Sequence, residues 1–154
     1  MYFIARRSDG RLVGAAFNLD MFNEPDLHPP QALLPVFTLL RTLEGPHKRI
    51  HMPKAENEVL HSGMMSTDEA LSKEENVLVM QCMEEENLRQ AQRRGYSTIF
   101  TINTSALTQQ LASVLGYELL EDFQVNQFVM PDGSMPFAGA KDTQRAICVV
   151  KHVL

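Results

Sequence analysis

Two short stretches constrain this chain more than any other feature: RRGYSTIFTIN, residues 93–103, and VLGYELLEDFQ, residues 114–124. Each begins as the end of a helix, stops on a glycine followed by tyrosine, and continues as an apolar strand. Glycine enters the left-handed conformation that terminates a helix without a Cβ clash, so Gly95 and Gly116 mark abrupt stops. A strand, a helix and a strand in this order predict a crossover unit with parallel strands, and two in succession predict a mixed α/β sheet.

The remaining elements fit around this centre. YFIARR and LVGAAFNLD flank Asp9-Gly10 and predict a hairpin. MFNEPDLHPP, within the loop 20–30, is proline-rich. A helix over 31–43 follows from Leu33, Val36, Phe37, Leu40 and Leu43, with Pro29 and Pro30 before it, Pro35 in its first turns and Gly45-Pro46 ending it. After the connection 45–57, a strand is expected over 58–67 and an acidic loop or short helix over DEALSKEEN. A long helix over 77–94 follows, with Val79, Met80, Met83, Leu88 and Ala91 on its apolar side. A strand over 96–102 and a helix over 104–115 come next. YELLEDFQVNQFVM, the turn Pro-Asp-Gly-Ser and RAICVVKHVL complete the order β-β-α-β-α-β-α-β-β.

Composition narrows the function classes. The chain has 154 residues, enough for one domain, 1–154, with its own core. Its net charge of −5 argues against nucleic acid or an anionic membrane as partner, since both require a basic surface. No apolar run of about 18 residues predicts a membrane span, and the first residues lack a signal-peptide layout. The two cysteines, Cys82 and Cys148, have neither metal-type spacing nor a disulfide framework, so the cytoplasm is the default compartment. Cys82 is expected to be buried and inert, and the nine methionines to fill core gaps. His47 and His51 flank a stretch read as strand or loop and have no third ligand, so no metal is expected.

The order and spacing of strand 58–67, the helix closing on RRGY, strand 96–102 and the helix closing on LGY resemble the GNAT acetyltransferase superfamily. The helix at 31–43 and the tail FQVNQFVMPDGSMPFAGAKDTQRAICVVKHV resemble its animal arylalkylamine N-acetyltransferase-like branch. The resemblance covers most of the chain and lacks that family's first strand–helix segment. It implies a mostly antiparallel sheet with a parallel, splayed central pair and helices on both faces. It also implies an acetyl-CoA-dependent N-acetyltransferase acting on a small primary amine by direct transfer in a ternary complex. Acetyl-CoA would lie along Met64, Met65, Ser66 and Thr67, with Lys73, Asn76, Val77 and Leu78 at its phosphates and Asn103 and Ser105 on the other wall. Thr108 stands where that branch has a helix serine, and Glu58, His61 and Tyr117 are candidates for the remaining proton transfers.

The chain departs from that family at two places. No glycine occurs between Gly63 and Gly95, where the family has a glycine-rich pyrophosphate loop, and Glu74 and Glu75 stand near that position. Ala112 occupies the position at which many members carry a tyrosine acid. These departures favour a second reading, a GNAT-fold protein with a degenerate CoA loop that acts as a non-catalytic binding or interaction module. A homodimer formed through an exposed sheet edge is a further expectation.

Overall fold

The computed structural model of the chain describes residues 1–26 and 28–153. Leu27, in the expected loop 20–30, and Leu154, in the expected last strand, lie outside the described residues. The elements are β1 (Tyr2–Arg6), β2 (Leu12–Asp20), α1 (Leu34–Ile50), β3 (Val59–Thr67), α2 (Lys73–Arg93), β4 (Thr98–Asn103), α3 (Ala106–Val114), β5 (Glu118–Gln124) and β6 (Arg145–His152). Their order is the one the sequence predicts. The sheet is six-stranded and mostly antiparallel, in the order β1-β2-β3-β4-β6-β5, with β3 and β4 parallel. The chain divides into two compact units, one of residues 1–23, 55–101 and 150–154, the other of residues 24–54 and 102–149.

In the first unit, Asp9-Gly10 turns the chain between β1 and β2, with Gly10 at φ +87° and the Arg11 amide donating to Asp9 Oδ1 at 2.9 Å. α2 packs on β2 and β3 and buries Met80, Met83, Glu84, Asn87 and Ala91. Gly14 permits this approach, since a Cβ there would lie 2.8 Å from Met83 Sδ. Cys82 lies off the buried stripe and is exposed, contrary to the sequence expectation. The helix closes as expected: the Tyr96 amide reaches back to the Ala91 carbonyl at 3.0 Å, across Gly95 at φ +80°.

A buried chain of polar side chains crosses this unit. Asn18 Nδ2 donates to Asn87 Oδ1 at 2.8 Å, and Asn87 Nδ2 donates to Ser62 Oγ at 3.1 Å. Thr101 Oγ1 donates to the Ser62 carbonyl at 2.9 Å. Asn18 and Asn87 are fully buried, so their amides depend on one another for hydrogen bonds.

The second unit corrects the reading of residues 31–57. Gln31–Leu33 form a 3-10 turn, and α1 then continues through Gly45-Pro46 to Ile50. Its buried face is Leu39, Leu43 and His47, while Leu33 and Val36 are exposed. A proline in a helix interior costs about 3 kcal/mol. Burying two leucines contributes about 3–6 kcal/mol, so the buried face carries the helix past Pro46. His47 therefore belongs to a helix, not to a strand or loop. α3 closes like α2, with the Tyr117 amide donating to the Ala112 carbonyl at 2.9 Å across Gly116 at φ +73°. β5, the strand expected within YELLEDFQVNQFVM, ends at Gln124 and is followed by a 3-10 turn, Val125–Gln127.

Asn87→Leu keeps side-chain volume but leaves Asn18 Nδ2 and Ser62 Oγ without their partner. Two orphaned buried groups at about 1–3 kcal/mol each predict a loss of about 2–6 kcal/mol, read as a lower urea midpoint at unchanged m-value.

Candidate functional site

The site begins where β3 and β4 part. Their parallel register runs from Val59↔Thr98 to Ser62↔Thr101 and stops, although β3 continues to Thr67. On its other side β3 stays paired with β2 through Gly14↔Thr67, with a register shift in which Phe17 faces Met64 and Asn18 faces Ser62. Gly63 is the extra residue of a bulge, and a bulge bends its strand and increases its twist. A Cβ on Gly63 would meet the Phe17 carbonyl at 3.4 Å. The Ser62 carbonyl accepts the Thr101 hydroxyl, so a side chain supplies a hydrogen bond at the point of parting. Met64, Met65, Ser66 and Thr67 are thus a strand segment with β2 on one edge and no β4 register on the other.

The turn Asp68–Ser72 connects this segment to α2. Thr67 Oγ1 donates to Asn76 Oδ1 at 2.6 Å, tying the strand end to the first helical turn. α2 begins at Lys73, four residues before the expected Val77, because Ser72 and Glu75 form a reciprocal capping box. The Glu75 amide donates to Ser72 Oγ at 3.2 Å and the Ser72 amide donates to Glu75 Oε2 at 2.9 Å. Lys73, Asn76, Val77 and Leu78 are consequently residues of the helix and not of a loop ahead of it. Arg7 of the hairpin pairs with Glu75, and Arg11 pairs with Asp68 at 2.6 Å. The helix N-terminus, where the GNAT resemblance expects a pyrophosphate, holds the protein's own carboxylate.

The remaining first-unit candidates lie further back along β3. Glu58 stands just before β3, and its carbonyl accepts from the Ser97 and Thr98 amides. At strand rise it is about 26 Å from Ser66, outside reach of a thioester lying along 64–67. His61 is half-buried, with its ring 5.7 Å from that of Phe100.

In the second unit, Ser105 caps α3. Its Oγ accepts from the Thr108 amide at 3.2 Å and lies 3.0 Å from Thr108 Oγ1, which donates to the Ser105 carbonyl at 3.0 Å. Asn103 is buried at the end of β4, and Gln109 Nε2 donates to both the Asn103 carbonyl at 3.1 Å and the Arg145 carbonyl at 3.0 Å. Tyr117 is half-buried and Ala112 is buried. Elsewhere in this unit His47 Nε2 lies 2.8 Å from Glu121 Oε2. Cys148 Sγ belongs to the same cluster, the three ligand atoms all within 4.8 Å of one another. Burial, reinforced by the charges of Glu121 and Glu44, pushes the Cys148 thiol up to about 12. No helix among the described residues is long and apolar enough to cross a membrane.

No family model matches the chain. A search of solved structures finds the C-terminal condensation domain of Ebony in complex with beta-alanyl-dopamine. It is 46% identical, has a TM-score of 0.95, and is matched over 99% of this chain and 72% of that chain. The chain belongs to the family of the Ebony C-terminal condensation domain. This Ebony-type domain also matches the beta-alanyl-bioamine nonribosomal peptide synthetase ebony of Drosophila melanogaster, with 48% identity over 93% of the chain. It spans 16% of that protein's length. Arylalkylamine N-acetyltransferase 2 from Aedes aegypti superposes with a TM-score of 0.77 at 16% identity, over 99% of this chain and 73% of that one. That likeness shows the GNAT fold. The higher identity lies with the Ebony domain, which corrects the expected placement in the arylalkylamine N-acetyltransferase-like branch.

The sequence reading missed Gly63, Thr101, Arg7 and Arg11. The signal Ser72-x-x-Glu75 was available, while the arginines act across the hairpin and have no local signature. Backbone amides at Ala70 and Ser72 are the first causes that hold the Asp68 and Glu75 carboxylates below their usual range, with Arg11 and Arg7 adding to them. A carboxylate with a lowered folded-state pKa stabilises the protein above its unfolded pKa, and this is lost as pH falls through the folded value. Unfolding measured against pH is expected to show stability declining on acidification below the ordinary carboxylate range, with a shallower decline in Glu75→Gln and Asp68→Asn.

Proposed function

We propose that this chain is an amine-acylating condensation domain: it joins an aminoacyl group, presented as a thioester on a carrier-bound phosphopantetheine arm, to a small primary amine. The observation that carries this reading is the 46% identity to a condensation domain whose structure holds beta-alanyl-dopamine, the amide of β-alanine and dopamine. Two features of the chain agree with it. The β3 segment Met64–Thr67 offers main-chain groups to an extended, amide-bearing pantetheine arm. The α2 N-terminus is capped by Ser72 and carries Glu75, an arrangement that disfavours the pyrophosphate of free CoA. A carrier-bound arm has one phosphodiester and no adenine nucleotide, so it needs the strand edge more than an anion loop.

In this chemistry the neutral amine attacks the thioester carbonyl, the new C–N bond forms, and the C–S bond breaks as the tetrahedral intermediate collapses. The amine loses a proton and the departing thiolate gains one. Thr108, its hydroxyl already oriented by Ser105, is the candidate relay: it gives its proton to the thiolate and is reprotonated, through solvent, by the proton the amine loses. Thr108→Val is expected to lower kcat by about 10²-fold with little change in KM, and Thr108→Ser to retain most activity.

The deciding experiment offers dopamine with either a β-alanyl-loaded carrier protein or acetyl-CoA and follows the amide by mass spectrometry. Condensation predicts β-alanyl-dopamine from the carrier and no protein-dependent acetyl-dopamine. Acetyl-dopamine formed from acetyl-CoA instead would establish the N-acetyltransferase reading. No amide from either donor, together with a higher Tm on adding β-alanyl-dopamine, would establish a binding module.

A further inference from the structure

We propose that His47, Glu121 and Cys148 form a binding site for a zinc-class divalent cation, distinct in residues and chemistry from the acyl-transfer machinery. The three side chains come from three elements of one unit: the last turn of α1, the middle of β5 and the middle of β6. Each delivers one ligand atom, a His47 ring nitrogen, a Glu121 carboxylate oxygen and Cys148 Sγ, and all lie within 4.8 Å of one another.

Zinc bonds of about 2.0–2.3 Å in a tetrahedron separate ligand atoms by roughly 3.3–3.8 Å. The cluster is therefore already near the required spacing, with His47 and Glu121 needing to open from their present 2.8 Å. The donor set decides the metal class. Imidazole with thiolate selects zinc and its transition-metal neighbours, whereas magnesium and calcium require oxygen donors.

Burial favours the site as well. The Cys148 residue is fully buried and the His47 side chain is 10% exposed, while the Glu121 side chain at 36% leaves the cluster a route to solvent. Binding is a ligand exchange: with Nε2 as the ligand, the proton it donates to Glu121 moves to Nδ1, the Cys148 S–H bond breaks and its proton goes to buffer, and N–metal, O–metal and S–metal bonds replace three metal–water bonds. No electron is transferred. Three protein ligands leave a fourth position for water. The negative charges of Glu121 and Glu44 near the thiol favour a dication.

The test titrates the protein with cobalt(II), a spectroscopic substitute for zinc. The expected result is one equivalent bound, with a thiolate-to-cobalt charge-transfer band and the visible bands of tetrahedral cobalt, both abolished by zinc. Cys82→Ser should keep these bands, because Cys82 is the exposed thiol outside the cluster. Cys148→Ser should lose the charge-transfer band, and His47→Gln and Glu121→Gln should each weaken cobalt binding by at least about tenfold. If Cys148→Ser does not fold, the Gln variants in the Cys82→Ser background carry the test. No thiolate band in the wild type, a band that follows Cys82, or unchanged affinity in both Gln variants would overturn the site. None of these readouts depends on the acyl donor, so the failure of the condensation reading leaves them intact.

Discussion

The parting of β3 from β4 at Ser62 is the constraint on which the rest of the proposed chemistry depends. A parallel pair zipped along its whole length would consume the main-chain groups of Met64–Thr67 in the ladder. Three local features act at the break instead. Gly63 supplies a bulge residue, Thr101 gives its hydroxyl to the Ser62 carbonyl, and Asn87 holds the Ser62 hydroxyl from α2. The buried amides of Asn18 and Asn87 make this arrangement specific, since sliding the register would strand polar groups away from water.

At the other end of the open segment, the anion-attracting helix N-terminus is occupied from within the protein. A helix N-terminus attracts anions, and a glycine-rich approach turns that attraction into a phosphate cradle. Here the same physics is satisfied internally. Ser72 and Glu75 cap α2, and Arg7 and Arg11 neutralise Glu75 and Asp68 from the hairpin. The departure of this chain from the glycine-rich loop that the GNAT resemblance implies is thus electrostatic and local.

Much of the architecture was legible because it rests on short-range rules. Gly95 and Gly116 closed their helices through the same five-residue return bond, and the Asp9-Gly10 hairpin formed where expected. The misread segment was 31–57. Local rules place a stop at Gly45-Pro46, but the buried run Leu39, Leu43, His47 shares Leu43 with the stripe chosen from sequence, leaves Leu33 and Val36 exposed, and carries α1 onward. That error moved His47 into a loop and hid the cluster it forms.

The sequence by itself determined the order of elements, the two crossover units and the absence of a glycine loop before α2, because turns, caps and periodicity act between residues near one another in the chain. Only the tertiary structure decided where β3 leaves β4, which arginines meet the α2 carboxylates, and that His47, Glu121 and Cys148 converge. Those outcomes depend on strand register and on how far a helix runs, quantities set by the packing of segments distant in the chain.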